Sequence, residues 1–134
     1  MICFSHAVRV YYEDTDAGGI VYYANYLRFL ERARTEILRS NGIVQSEWIA
    51  SRQLAFVVRR IEADYLHPAK LDDVLEITTR TADISGASLE LHQEVRRGAD
   101  VLLTARVRLA CLDLARNRPT RLPAELHAIF ARAR

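Results

Sequence analysis

The sequence predicts an α+β domain, one long helix against an antiparallel sheet of about five strands. Two observations carry this. The stretch from Asp14 to Gly42 holds the longest helical periodicity in the chain. From Leu54 onward, four segments in succession alternate apolar and polar residues as half-buried strands do. With a first strand ahead of the helix, the order is strand, helix and four strands, read as joined by three antiparallel hairpins.

Phe4 to Tyr12 alternates and reads as the first strand. The helix is read from Tyr26, with Tyr26, Leu27, Leu30, Ala33, Ile37 and Leu38 at the spacing of one face. Arg28, Glu31, Arg32, Thr35, Glu36 and Arg39 take the other, so Glu31, beside Arg34 and Thr35, reads as a surface charge. Asn41 and Gly42 supply the stop. Ile43 to Arg52 predicts one or two helical turns around Trp48. Leu54 to Leu66 is the second strand, ended by His67-Pro68 because proline cannot donate to a ladder. Val74 to Asp83, Ser88 to Arg96 and Val101 to Cys111 follow, separated by Ser85-Gly86 and by the turn Arg97-Gly98-Ala99-Asp100. Pro119 and Pro123 mark a loop, and Ala124 to Arg132 predicts a terminal helix. One helix cannot cover a five-stranded sheet, so a second copy is expected to bury what is left, as a homodimer.

Composition bounds the function. The 134 residues make one domain, 1–134, and half of them are hydrophobic, enough for a sizeable core. A net charge of +2, from 19 basic and 17 acidic residues, argues against nucleic acid or a membrane surface as partner. Cys3 and Cys111 have no metal-ligand or redox spacing, and Cys111 reads as a buried free thiol in a reducing compartment. His6, His67, His92 and His127 lack metal spacing, so no metal and no cofactor is expected. The N-terminus shows no basic region followed by an apolar run, and no stretch has the length of a membrane span. The expected location is the cytoplasm.

The turn ahead of the helix carries the chemistry. Asp16 precedes Gly18 and Gly19, which let the backbone bend and a ligand approach. The first N–H groups of a helix have no partner within it and mark the positive end of its dipole. A carboxylate before such a terminus can attack or activate while the N–H groups hold an oxyanion. An aspartate in a turn can equally bond its own backbone and do nothing more. The residues alone leave both readings open. None of the serines lies in a G-x-S-x-G elbow.

The strings VRVYYEDTDAGGIVYYANYLRFLERARTEILR and AFVVRRIEADYLHPAKLDDVLEI resemble the YbgC-type acyl-CoA thioesterases, of the hotdog-fold superfamily that includes the 4-hydroxybenzoyl-CoA thioesterases. The resemblance runs from about Val8 through the last strand. It implies a curled antiparallel sheet wrapped around a central helix, with two subunits joining sheets. It implies hydrolysis of acyl-CoA to free acid and CoA, Asp16 acting as nucleophile or general base. The Tyr23 N–H would polarise the thioester carbonyl, Gly19 would let the acyl group come close, and Ser88 aligns with a hydroxyl near the thioester in the aroyl branch. YbgC-type members commonly carry histidine where this chain has Tyr23. Tyrosine, with a pKa of about 10, cannot take a proton as imidazole does near neutral pH. The 4-hydroxybenzoyl-CoA branch has tyrosine there, which implies a leaning toward aryl thioesters. Arg59, Arg60 and Lys70 are candidates for the nucleotide phosphates. The resemblance leaves open an acyl-carrier-protein thioesterase, a non-catalytic accessory protein of a Tol-Pal-type envelope assembly, and the pairing of dimers into tetramers.

Overall fold

The computed structural model describes residues 3–134. In chain order the elements are β1 (Phe4–Arg9), α1 (Asn25–Ser40), α2 (Gln45–Arg52), β2 (Leu54–Tyr65), β3 (Val74–Ser85), β4 (Ser88–Arg97), β5 (Asp100–Asp113), β6 (Arg118–Pro119) and α3 (Ala124–Ala131). The five long strands form one antiparallel sheet in the order β1-β3-β4-β5-β2, and the two-residue β6 pairs with β5. The sheet curls into a half-barrel around α1, the hotdog arrangement. Among the described residues no helix is long and apolar enough to cross a membrane.

The inner face follows the alternation read from the sequence. Leu75 and Ile77 on β3, Leu89, Leu91 and Val95 on β4, and Leu103, Ala105, Val107, Leu109 and Cys111 on β5 are all buried. The Cys111 thiol is free, and burial pushes its pKa up. Gln93 interrupts this apolar row yet is fully buried, because every polar end has a partner. Its Nε2 donates to the Leu30 carbonyl at 3.2 Å and to Thr79 Oγ1 at 3.0 Å, and its Oε1 accepts from Arg34 at 2.9 Å. These bonds pin α1 to the middle of the sheet.

Four features depart from the sequence reading. First, β1 ends at Arg9 rather than Tyr12, because Tyr12–Asp14 wind into a 3₁₀ turn capped by the Asp14 carboxylate on the Tyr11 N–H at 2.8 Å. Second, α1 turns a different residue inward: Phe29 is fully buried while Leu27 is 36% exposed. Third, β2 and β3 do not form a hairpin. They lie on opposite sides of the β4-β5 pair, joined by the crossing segment 66–73, so the chain has two tight hairpins among its long strands rather than three. Fourth, α3 ends at Ala131, one residue short, and Pro119 lies in β6 where an edge strand tolerates it. The α1 stop is as read: Gly42 adopts φ +82° and its N–H closes on the Arg39 carbonyl at 3.0 Å.

Candidate active site

The turn before α1 is a closed loop. Thr15 bridges to Val21, the Asp16 N–H donates to the Ile20 carbonyl at 2.9 Å, and the Gly19 N–H donates to the Asp16 carbonyl at 3.0 Å. Gly19 has φ +79°, and a Cβ there would meet nothing within 4 Å, so glycine serves the backbone conformation here. Asp16 is exposed. Its Oδ1 accepts from the Gly18 N–H at 2.8 Å, the Asx-turn that sequence reasoning held as the alternative. Among the described residues Oδ2 has no partner. The turn therefore uses one carboxylate oxygen and not the other.

The loop is seated by a residue that sequence reasoning passed over. Asp14 is 6% exposed; besides the Tyr11 N–H it accepts from Asn25 Nδ2 at 2.7 Å, and its carbonyl accepts the Tyr22 N–H at 2.9 Å. One aspartate thus ties the 3₁₀ turn, the loop and the first residue of α1 together. The available signal was a second carboxylate two positions before Asp16. Replacing Asp14 by alanine leaves the Tyr11 and Asn25 donors unpaired; at about 1 kcal/mol or more per donor, the expected loss is about 2 kcal/mol, read from urea denaturation.

Tyr23 precedes α1 by two residues, and among the described residues no group accepts its N–H. Its carbonyl accepts from the Tyr65 hydroxyl at 2.9 Å, which fixes the peptide's direction from the end of β2. Tyr65 stands edge-on to Tyr23 and to Tyr26, and the buried Tyr26 hydroxyl accepts the Ala69 N–H at 2.9 Å. Burial raises the pKa of Tyr26 and of Tyr65, so both phenols stay neutral at physiological pH, Tyr26 accepting and Tyr65 donating. Asp16, Tyr22, Ala24, Asn25 and Arg28 line one depression of about 320 Å³, with the free carboxylate on its wall and the entrance of α1 beside it. A second open depression of about 500 Å³ lies on the other side of Asp16, lined by Tyr12, Gly19 and Leu71.

The segment 66–73 backs the loop. The Val21 N–H donates to the Ala69 carbonyl at 2.9 Å, and Ile20 bridges to Lys70, which brings that lysine beside the turn. Asp73 holds the segment, accepting from the Lys70 N–H at 2.9 Å and from Arg97 at 2.7 Å. Partial burial pushes the Asp73 pKa up, but these donors and the two cations outweigh it and leave it lowered. A lowered carboxylate pKa means stability that is complete above the unfolded value of 3.8 and is lost as pH falls through the lower folded value. Asp73→Asn is therefore expected to cost under about 1 kcal/mol at pH 7, since the pair is partly solvated, and to flatten the fall in stability below about pH 4. Denaturation midpoints at pH 7 and pH 3 check both.

Ser88 stands elsewhere. It begins β4 and donates to the Ser85 carbonyl at 3.1 Å, while Arg97, at the other end of β4, reaches Asp73. A strand of that length separates the two ends by about 30 Å, so Ser88 and Asp16 are not brought together within the chain. Arg60 pairs with Glu62 on the exposed face of β2. Among the described residues no three His, Cys, Asp or Glu side chains converge as a metal would require.

A family model for the thioesterase-like superfamily matches residues 10–130. The chain is 47% identical over 127 residues to the acyl-CoA thioesterase YbgC of Haemophilus influenzae, covering 95% of this chain and 93% of that protein. It is 46% identical over 128 residues to the acyl-CoA thioester hydrolase YbgC of Escherichia coli O6:H1, with 95% of each covered. A probable thioesterase from Bartonella henselae superposes with a TM-score of 0.86 at 37% identity, over 91% of this chain and all of that one. The closed aspartate loop, the helix that follows it and these matches agree, and the chain belongs to the thioesterase-like superfamily, on its YbgC branch.

Proposed function

We propose that this protein hydrolyses acyl-CoA thioesters to the free acid and CoA at the loop before α1. The observation that carries the reading is the Asp16 carboxylate, with one oxygen spent on its turn and the other free, lining the same depression as the first residues of α1. The YbgC relatives, named as acyl-CoA thioesterases, support the substrate class. The free oxygen attacks the thioester carbon to give an acyl anhydride that water then opens to the free acid, or it takes a proton from a water that attacks that carbon directly. The carbonyl oxygen gains negative charge and is held by the Tyr23 N–H, aligned with the positive end of the helix. CoA leaves as a stabilised thiolate, so no Ser-His-Asp set is needed. Gly19 keeps the acyl approach clear, and Lys70 offers a cation beside the loop for the nucleotide phosphates.

The role assigned to Tyr23 belongs to its backbone. Tyr23→Phe is therefore expected to change kcat by less than about tenfold, whereas loss of a proton-transferring side chain costs about 100-fold or more. Steady-state CoA release measures it, and a fall in the larger range would move the role to the phenol. Tyrosine at this position supports a preference for aryl over short aliphatic thioesters.

The site is completed, in this proposal, by a second copy. β2 ends the sheet with a free edge and buries little, with Val58 and Tyr65 each nearly half exposed. A homodimer joined there covers that edge, and any contact of Ser88 with substrate is made across it. The two free cysteines support a reducing, cytoplasmic setting. The deciding experiment is CoA release from short, medium, long and aromatic acyl-CoA, run beside the same acyl groups on acyl carrier protein. Turnover of CoA thioesters is the expected result. Turnover of carrier-bound thioesters alone would transfer the reading to a carrier-protein thioesterase, and no turnover of either would sink it in favour of an accessory role at an envelope assembly.

A further inference from the structure

A cavity of about 140 Å³ lies between the second half of α1 and the sheet, apart from the Asp16 loop. Its floor is apolar, built by Phe56, Leu89, Leu91, Leu109, Leu126 and Phe130. A void of about 150 Å³ with such walls admits benzene. One wall is polar: Glu31, Arg34 and Thr35 of α1 and Gln45 of α2 line it, and Arg34 is the cation among them.

Arg34 is an unusual residue to find there. Its guanidinium is largely buried between helix and sheet, and burial pulls its pKa down, opposed by the charge of Glu31. Among the described residues its single hydrogen bond is Nη1 to Gln93 Oε1 at 2.9 Å, and it forms no ion pair. Glu31, one turn earlier, is exposed and accepts from the Thr35 hydroxyl at 2.9 Å instead. A strut to Gln93 accounts for one of the five guanidinium N–H groups. It does not account for a cation: Gln93 already holds α1 through the Leu30 carbonyl, and a neutral donor would serve the remaining bond. The Glu31 carboxylate lies in the same wall but makes no ion pair with Arg34, so the largely buried guanidinium keeps donors free, and a ligand carboxylate matches its fork with two parallel bonds.

We propose that this cavity binds a small monocarboxylate whose apolar body is about the size of a benzene ring, with Arg34 receiving the carboxylate. The ring or short branched chain fills the Leu and Phe floor, and the anion neutralises the guanidinium at the wall. Acids of this class are what thioester hydrolysis releases, yet the site shares no residue with the Asp16 loop and is occupied independently of it.

The test uses the full chain and three probes: benzoate, benzyl alcohol and acetate, titrated while the methyl resonances of Leu89, Leu91 and Leu126 are followed by NMR. Benzoate is expected to shift them saturably, with benzyl alcohol and acetate each at least about tenfold weaker. Asp16→Asn should bind benzoate as the parent protein does, so a protein without hydrolytic activity still reports on this site. Arg34→Gln should lower benzoate to the level of benzyl alcohol, and Arg34→Lys, which keeps the charge and loses the fork, should fall between. Benzyl alcohol binding as tightly as benzoate would make Arg34 a strut beside an apolar void. Acetate matching benzoate would reduce the effect to surface charge, and no saturable shift with benzoate would also overturn the proposal. The ranking of the three probes decides the matter on the parent protein even if an Arg34 variant does not fold.

Discussion

Asp16→Asn is expected to lower kcat for acyl-CoA hydrolysis by about 100- to 10,000-fold while leaving the fold in place. The substitution separates two roles that one carboxylate holds. The turn needs only Oδ1, which accepts the Gly18 N–H, and an asparagine amide oxygen makes the same Asx-turn. The loop is held independently by Asp14, by the Thr15–Val21 bridge and by the Gly19 and Asp16 backbone bonds. What asparagine removes is the charge and the free oxygen proposed above to attack the thioester carbon or to deprotonate a water that does. Little change in KM is expected, because the role proposed for Asp16 is in the chemical step rather than in holding the nucleotide. The measurement is CoA release from the best substrate of the panel, with thermal unfolding and oligomeric state checked for both proteins. A variant within about threefold of the parent would show that the Asx-turn is the whole of its role. A variant with lost activity and a melting point lowered by many degrees would leave the loss to folding.

The loop of the candidate site was legible in the sequence because its determinants are local. A carboxylate followed by two glycines and a helix start can be read from residue types alone, and the loop forms as that reading required. Asp14 was not legible, because its role depends on Asn25, eleven positions on, and the two meet only once the loop has closed. Tyr65 is a more distant case: its hydroxyl reaches the Tyr23 carbonyl from 42 residues away, and nothing local in β2 distinguishes it from a tyrosine on a solvent face. Arg34 entered the sequence reading only as a neighbour of Glu31 and was given no role. Its burial follows from Gln93, a polar residue set in an apolar row of β4.

Strand existence was legible from period, and strand neighbours were not. Alternation tells which face a residue takes but not which strand lies beside it. The length of the links held the better signal. β3–β4 and β4–β5 are joined by two residues each, Gly86-Ala87 and Gly98-Ala99, as hairpins require. The link 66–73 has eight, with a proline near its start, and it serves to carry the chain across the sheet and to back the Asp16 loop. A free β2 edge is the consequence, and the dimer proposed above rests on it.

Phe29→Ala is expected to destabilise the protein by about 3–5 kcal/mol, and Leu27→Ala by about 1 kcal/mol. The contrast reverses the helix face read from the sequence, and its reason is angular. At 3.6 residues per turn, Phe29 lies about 60° from Tyr26 around the helix and Leu27 about 100°, so a face centred near Tyr26, Leu30, Ala33 and Ile37 takes in the first and leaves out the second. Phe29 is fully buried and meets the Tyr26 ring edge-on, with centroids 6.1 Å apart. Truncating it opens a void beneath the first turns of α1 and removes a wall of Tyr26. Tyr26 in turn holds the Ala69 N–H and one side of Tyr65, whose hydroxyl orients the Tyr23 peptide. The folded fraction of Phe29→Ala should therefore also turn over more slowly, with kcat falling more than KM rises, because the proposed oxyanion donor loosens while the substrate's entry remains. Urea denaturation of the two variants, with CoA release measured well below each midpoint, tests both parts. A larger loss of stability for Leu27→Ala than for Phe29→Ala would restore the face that the sequence first suggested.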